Sequence, residues 1–143
     1  MIFRTPEEKK DLIRSWNLPD RPFFAAGACH ILAAAFLQTY RDAGYYALHI
    51  KPDAGFRGQH VLVSNGSVTF DYHGYAREEA YLSHYFSKIH RFIPHWRGVV
   101  KTLSINPTEK AFCQEHRHRM PDQYLHDPRP RAISYLRRFK PPN

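Results

Sequence analysis

Cysteine is scarce in this chain: Cys29 and Cys113 are the only two among 143 residues. Two cysteines make at most one pair, which excludes the disulfide-stapled framework of small secreted domains. Long apolar runs are missing as well. The longest, Phe23 to Leu37, is interrupted by His30 and falls short of the ~20 residues a membrane span needs. The opening MIFRTPEEKK is too charged to hold the apolar core of a signal peptide. These absences lead us to expect a soluble, cytoplasmic protein with no membrane contact.

Acid is the other deficit. Asp and Glu number 13 against 21 Lys and Arg, a formal net charge of +8. The excess is uneven. Residues 1–75 carry 8 basic and 7 acidic groups, whereas residues 76–143 carry 13 basic and 6 acidic groups. On sequence alone the charge therefore describes what the C-terminal half docks to, and says little about any reaction in the near-neutral first half. Four arginines near the end, Arg129, Arg131, Arg137 and Arg138, are the candidate binding residues. They suit an acidic partner or nucleic acid, although no helix-turn-helix, RNP or finger pattern accompanies them.

What is plentiful is apolar and aromatic content, at 43% and 15%. That is enough to fold, and the length fits one domain over residues 1–143, with a core to 128 and a basic segment over 129–143. Thr5, Pro6 and Glu8 form a helix start of the capping-box type, leading to Leu12, Ile13 and Trp16. The two prolines of NLPDRP (17–22) end that helix. A second helix is predicted from about Gly27 to Arg41, apolar on nearly every face and therefore central and buried.

Residues 45–51, 59–64 and 67–72 read as strands, and Asn65-Gly66 as a two-residue hairpin turn. A packing helix follows from Tyr81 to Ile93, then a further strand at GVVKTL (98–103) and helices near 108–118 and 131–139. Consecutive strands with short turns predict an α+β fold, a small antiparallel sheet packed on the central helix.

Cys29, in GACH, falls at the start of that helix. Free N–H groups and the helix dipole lower a thiol's pKa there, and its own N–H is a candidate oxyanion donor. A small buried cysteine in an apolar segment is the alternative reading. The hairpin adds a second feature. A two-residue turn pairs Ser64 with Ser67, Val63 with Val68, Leu62 with Thr69, Val61 with Phe70 and His60 with Asp71. The last two side chains would share a face, with Cβ atoms roughly 4.5–5.5 Å apart. A carboxylate at that distance fixes the imidazole tautomer and stabilises its charged form. An ordinary cross-strand polar pair is the alternative, and His49 is a second candidate base.

The segments GACHILAAAF, GQHVLVSNG and SVTFDYHG together resemble the papain-like superfamily, which includes papain-like and NlpC-like peptidases, transglutaminase-like proteins and arylamine N-acetyltransferases. The resemblance covers about 45 residues, Gly27 to Tyr72, and implies a papain-like core. It also implies Cys29 as nucleophile, His60 as general base and acid, and Asp71 as the orienting residue, acting on a protein or peptide-like substrate without a cofactor. The sequence differs in having His30 after the cysteine, and no glutamine in the short stretch before it.

Other chemistries lack anchors. There is no GxSxG, no CxxC, no HExxH, and GFRG at 55–58 lacks the Lys-Ser/Thr of a phosphate loop. Cys29, His30, His49, His60, Asp71 and His73 are acceptable zinc ligands by type but lack paired short spacing. Cys113, His116 and His118, in CQEHRH, come nearest to such a set, but on a helix the third points away from the other two. No metal is expected. A non-enzymatic α+β binding domain that engages its partner through the basic C-terminal half is the alternative function.

Overall fold

The computed structural model describes residues 2–143. Thr5 caps α1 (Pro6–Lys10), its Oγ1 accepting from the Glu8 N–H at 3.2 Å. The helix predicted to run on through Trp16 is interrupted at Asp11, whose backbone is extended (φ −85°, ψ 97°). Its carboxylate accepts from the Arg14 N–H at 3.0 Å and opens a new helix, α2 (Leu12–Trp16). Aspartate satisfies free N–H groups at a cap better than it serves a helix interior. The proline-rich stretch does more than end a helix: α3 (Asp20–Ala25) starts inside it, with Pro22 in the first turn, where no N–H is needed.

The central helix is α4 (Cys29–Thr39), with seven of its eleven residues buried. The sheet has five antiparallel strands: β1 (Tyr46–Pro52), β2 (His60–Ser64), β3 (Val68–Asp71), β4 (Gly74–Arg77) and β5 (Gly98–Leu103). Their spatial order is β4-β3-β2-β1-β5. This is the α+β class expected. Strand β4 was not anticipated, because the pattern after Gly74 was read as helical; it returns after Tyr72 and His73, with Gly74 at φ 96°. The chain then passes through α5 (Glu78–Phe92), β5, α6 (Lys110–His116) and α7 (Arg129–Leu136).

The hairpin register differs from expectation by two residues. Ser64 pairs with Thr69 and Val63 with Phe70, so the turn is longer than Asn65-Gly66. The Asn65 side chain accounts for this: its Oδ1 accepts from the N–H groups of Ser67 and Val68, at 2.9 and 2.7 Å. An Asx turn replaces the tight one, and only Gly66 takes a positive φ. Because the side-chain period is two, a slip of two leaves every side chain on its face. His60 and Asp71 remain on one side of the sheet, as diagonal rather than direct neighbours.

Both faces of the sheet are covered. Val61, Val63 and Phe70 pack with Phe36, Ile31 and Leu32 of α4, while Leu48, Ile50 and Leu62 pack with Ile89 and Trp96 on the other side. Helix α7 joins the first cluster through Ala132, Tyr135 and Leu136, so residues 129–136 belong to the core with the rest of the chain. No helix among the described residues is long and apolar enough to cross a membrane.

Arg131 fastens α7 to the N-terminal helices. Its guanidinium donates to Asp20 at 2.8 Å and to the carbonyls of Trp16 and Leu18 at 2.7 and 2.6 Å, and it lies 3.9 Å from the centre of the Phe23 ring. We expect Arg131→Ala to lower the unfolding free energy in urea by about 2–3 kcal/mol, the cost of losing hydrogen bonds from a charged, partly buried group. Arg137→Ala, at an exposed position, should leave the midpoint unchanged.

Candidate functional site

Cys29 is the first residue of α4 and His60 the first of β2, so both lie at the ends of their elements, facing a cleft of about 940 Å³ that they help to line. Asp71 ends β3. The three residues singled out as catalytic candidates are brought together. His60 Nε2 lies 2.9 Å from Asp71 Oδ2, with the His60 and Asp71 side chains only 4% and 2% exposed. The Cys29 thiol lies close enough to the His60 ring for each to shift the other's ionisation. Tyr85, nearly parallel to the His60 ring at 6.0 Å, and Tyr72, edge-on at 5.9 Å, fix the plane of the imidazole.

A carboxylate this deeply buried needs every lone pair engaged. Asp71 accepts from the Tyr81 hydroxyl at 2.5 Å on Oδ2, and from the His73 N–H at 2.9 Å on Oδ1, with the His73 ring 3.2 Å from the same oxygen. Sequence reading offers His73 only as a possible zinc ligand, not as a partner of Asp71, and does not find Tyr81. Tyr81 and Tyr85 were read as packing residues of α5, and their four-residue spacing was the one signal that they share a face. Tyr85 reaches the cleft wall as well, donating to the Gly58 carbonyl at 2.5 Å.

The electrostatics follow from these contacts. Burial pushes the Cys29 thiol up, but the neighbouring His30 and His60 rings outweigh it and bring the pKa down to about 5. Burial lowers the His60 imidazolium, and the Asp71 and Cys29 partners reverse this, raising it to about 10. Asp71 is disfavoured as an anion by burial, yet bonding to His60, His73 and Tyr81 holds it below the usual carboxylate range. The pair therefore titrates as a unit, with thiolate and imidazolium together between the two limits. Cys113 is the opposite case: burial raises it to about 11, and its thiol faces the Pro107 carbonyl at 3.6 Å.

The alternative base, His49, lines the same cleft but is engaged by other partners. Its Nε2 meets Gln59 Oε1 at 3.1 Å, its ring packs on Phe112 and His116, and burial lowers it to about 4. The CQEHRH set does not assemble either. Instead His118 joins Cys29 and His30, with ligand atoms of all three within 4.8 Å of one another. The His30 Nε2–H donates to the Arg119 carbonyl at 2.6 Å, which leaves its Nδ1 lone pair buried and unpartnered, as is His118 Nε2. These three residues could hold a thiophilic ion.

The C-terminal arginines proposed for binding lie apart from the cleft lining. Arg129 pairs with Asp127 at 2.8 Å and Arg138 with Asp20 at 2.6 Å, and Arg131 is engaged as described above. Arg137 is exposed. Family models, curated proteins and solved structures were compared with the chain, and nothing matches it.

A thiol lowered to about 5 is an anion above that pH and is protonated as pH falls through it. Carbamidomethylation of Cys29 by iodoacetamide, followed by peptide mass spectrometry, should thus be half-maximal near pH 5, with Cys113 unlabelled at pH 7. His60→Ala should move the Cys29 midpoint upward toward the ordinary thiol value of ~8.5. A wild-type midpoint near 8.5 would contradict the thiolate–imidazolium pair.

Proposed function

We propose that the protein is a cysteine-dependent acyl-transfer enzyme, hydrolysing or transferring the acyl group of an amide or thioester. The observation that carries this reading is the buried His60–Asp71 contact of 2.9 Å, with His60 and Cys29 lining the same cleft and shifting each other's ionisation. The order of nucleophile on a helix start, base on one strand and orienting carboxylate on the next also agrees with a papain-like arrangement, and the α+β fold is compatible with it.

The steps balance. The Cys29 thiolate adds to the carbonyl carbon, forming the C–S bond and a tetrahedral oxyanion. N–H groups of the first turn of α4, which has no side-chain cap at Ala28, are the candidate donors to that oxygen. The intermediate collapses, the bond to the leaving amine or thiol breaks, and the His60 imidazolium donates its proton to that group. Neutral His60 then takes a proton from water or an acceptor amine, whose attack on the thioester releases the acyl product and restores the thiolate. Asp71 keeps the Nε2–H in place throughout, so that Nδ1 is the atom that exchanges the proton.

A second reading is favoured by one observation, the Cys29, His30 and His118 cluster. There the thiolate would be a ligand and the domain a metal-binding one. Stoichiometric zinc in the purified protein, lost in His118→Ala, would support it.

The acyl-transfer reading is tested with p-nitrophenyl acetate and intact-mass detection of the acyl-enzyme. Wild type should acetylate at Cys29, and Cys29→Ala should form no adduct. His60→Ala should acylate at least ~10²-fold more slowly, the scale of lost general acid–base catalysis. Equal rates for wild type and His60→Ala would remove His60 from the chemistry and sink the proposal.

A further inference from the structure

The cleft that contains Cys29 is strongly cationic. Six lysines and arginines line it, Arg4, Lys9, Lys51, Arg57, Arg117 and Arg119, against two carboxylates. Asp53 lies 3.7 Å from Arg97, and Glu115 lies 3.6 Å from His116, whose charged form burial disfavours. The cations therefore outnumber the anions of the lining even with Glu115 counted as one. A cleft with low-dielectric walls and one sign of charge concentrates ions of the other sign.

Arg4 is the cation held against the segment that leads into Cys29. Its guanidinium lies flat on the backbone of Gly27, two residues before Cys29, where an added Cβ would stand 2.7 Å from Nη2 and 2.9 Å from Nη1. Only glycine allows that approach, and Gly27 also has φ 137°, a backbone conformation that residues with a Cβ rarely adopt. The Gly27 carbonyl is held by the Tyr124 hydroxyl at 2.5 Å, which keeps this stretch of chain in place under the guanidinium. Arg4 Nη1 is buried and has no hydrogen-bond partner among the described residues. The carboxylate that acts on Arg4, Glu8, is also 3.6 Å from Arg14. A buried guanidinium donor without an acceptor is costly, and a ligand oxygen relieves that cost.

We propose that the cleft at Cys29 receives an acyl donor bearing a carboxylate close to the carbonyl under attack, with Arg4 as the residue that binds the carboxylate. The proposal rests on the acyl-transfer reading for the acyl part of the ligand, while the anion preference stands on the cleft alone. Arg4 is a specificity-determining residue here: it selects for charge and takes no part in proton transfer.

Iodoacetate and iodoacetamide test it, since both alkylate the Cys29 sulfur and lose iodide but differ by one negative charge. The quantity to read is the ratio of their second-order rate constants at Cys29, iodoacetate over iodoacetamide, for native protein and for the same thiol in urea. We expect the native ratio to exceed the unfolded one by about tenfold at low ionic strength, and to shrink as salt screens the cleft. Arg4→Gln should lower the native ratio several-fold, Arg4→Lys less, and Arg137→Gln not at all. His60 is unchanged in all three variants, so its own attraction for the anion cancels. Lys51→Gln, on a strand rather than the N-terminal arm, should lower the ratio in the same direction and serves if Arg4→Gln fails to fold. Fast labelling by iodoacetamide with no native preference for iodoacetate, or a ratio untouched by Arg4→Gln and Lys51→Gln, would overturn the anion site and leave the acyl-transfer reading intact. Slow labelling by both reagents with the preference retained would do the reverse.

Discussion

A buried carboxylate with all its neighbours accounted for, Asp71, is the constraint on which the site depends. An unpaired ion at that depth would cost several kcal/mol. Relief comes from three elements at once: the His60 ring on β2, the backbone and ring of His73 in the turn before β4, and the Tyr81 hydroxyl on α5. Those contacts draw both faces of the sheet to one point, because α5 covers the side opposite to α4. Once Asp71 is held as an anion, the charged form of His60 is favoured, and an imidazolium next to a sulfur favours the thiolate. The ionisation of Cys29 is thus influenced by a carboxylate that acts on it through His60.

How far this was legible in the sequence depends on which property carried the prediction. The pairing of His60 with Asp71 was expected from a two-residue turn that does not form. It survives because face parity tolerates a slip of two, and because a histidine reaches a diagonal neighbour on its own face. Local signals did well where they were local: the Thr5 cap, the buried α4, and the strands to either side of Asn65. Asp11 shows their limit, since one aspartate inside an apparent helix is itself a cap signal. As partners of Asp71, Tyr81 and His73 were out of reach for another reason. Which face of α5 docks, and where the turn after β3 points, are properties of tertiary packing that no window of sequence contains.

Charge was the property most misplaced by reading along the chain. The first 75 residues are nearly neutral, yet Arg4, Lys9, Lys51 and Arg57 come from them and line the cleft. Of their acidic counterparts only Asp53 lines the cleft, 3.7 Å from Arg97; Glu8 is shared between Arg4 and Arg14, and Asp20 takes Arg131 and Arg138 from the basic C-terminal segment. Folding has exchanged the roles of the two halves. Part of the C-terminal excess is used to tie helices together, and the near-neutral half supplies most of the cleft's cations. A sequence balance counts charges, whereas a cleft depends on which charges remain unmatched when the chain closes.

The lowered thiol has a less obvious consequence for where catalytic power could arise. Moving Cys29 from the ordinary value of ~8.5 to about 5 raises its thiolate fraction at pH 7. The gain is about 30-fold, but intrinsic nucleophilicity falls with a Brønsted slope of ~0.4–0.5, which over about 3.5 units removes roughly 25–60-fold. The two effects nearly cancel. What the ion pair adds beyond the cancellation is the proton: His60, held protonated by Asp71, is already charged when a leaving group needs it. In a site built this way the advantage lies in departure of the leaving group rather than in the attack. That places the heaviest demand on the His60–Asp71 contact, the most deeply buried polar pair in the site.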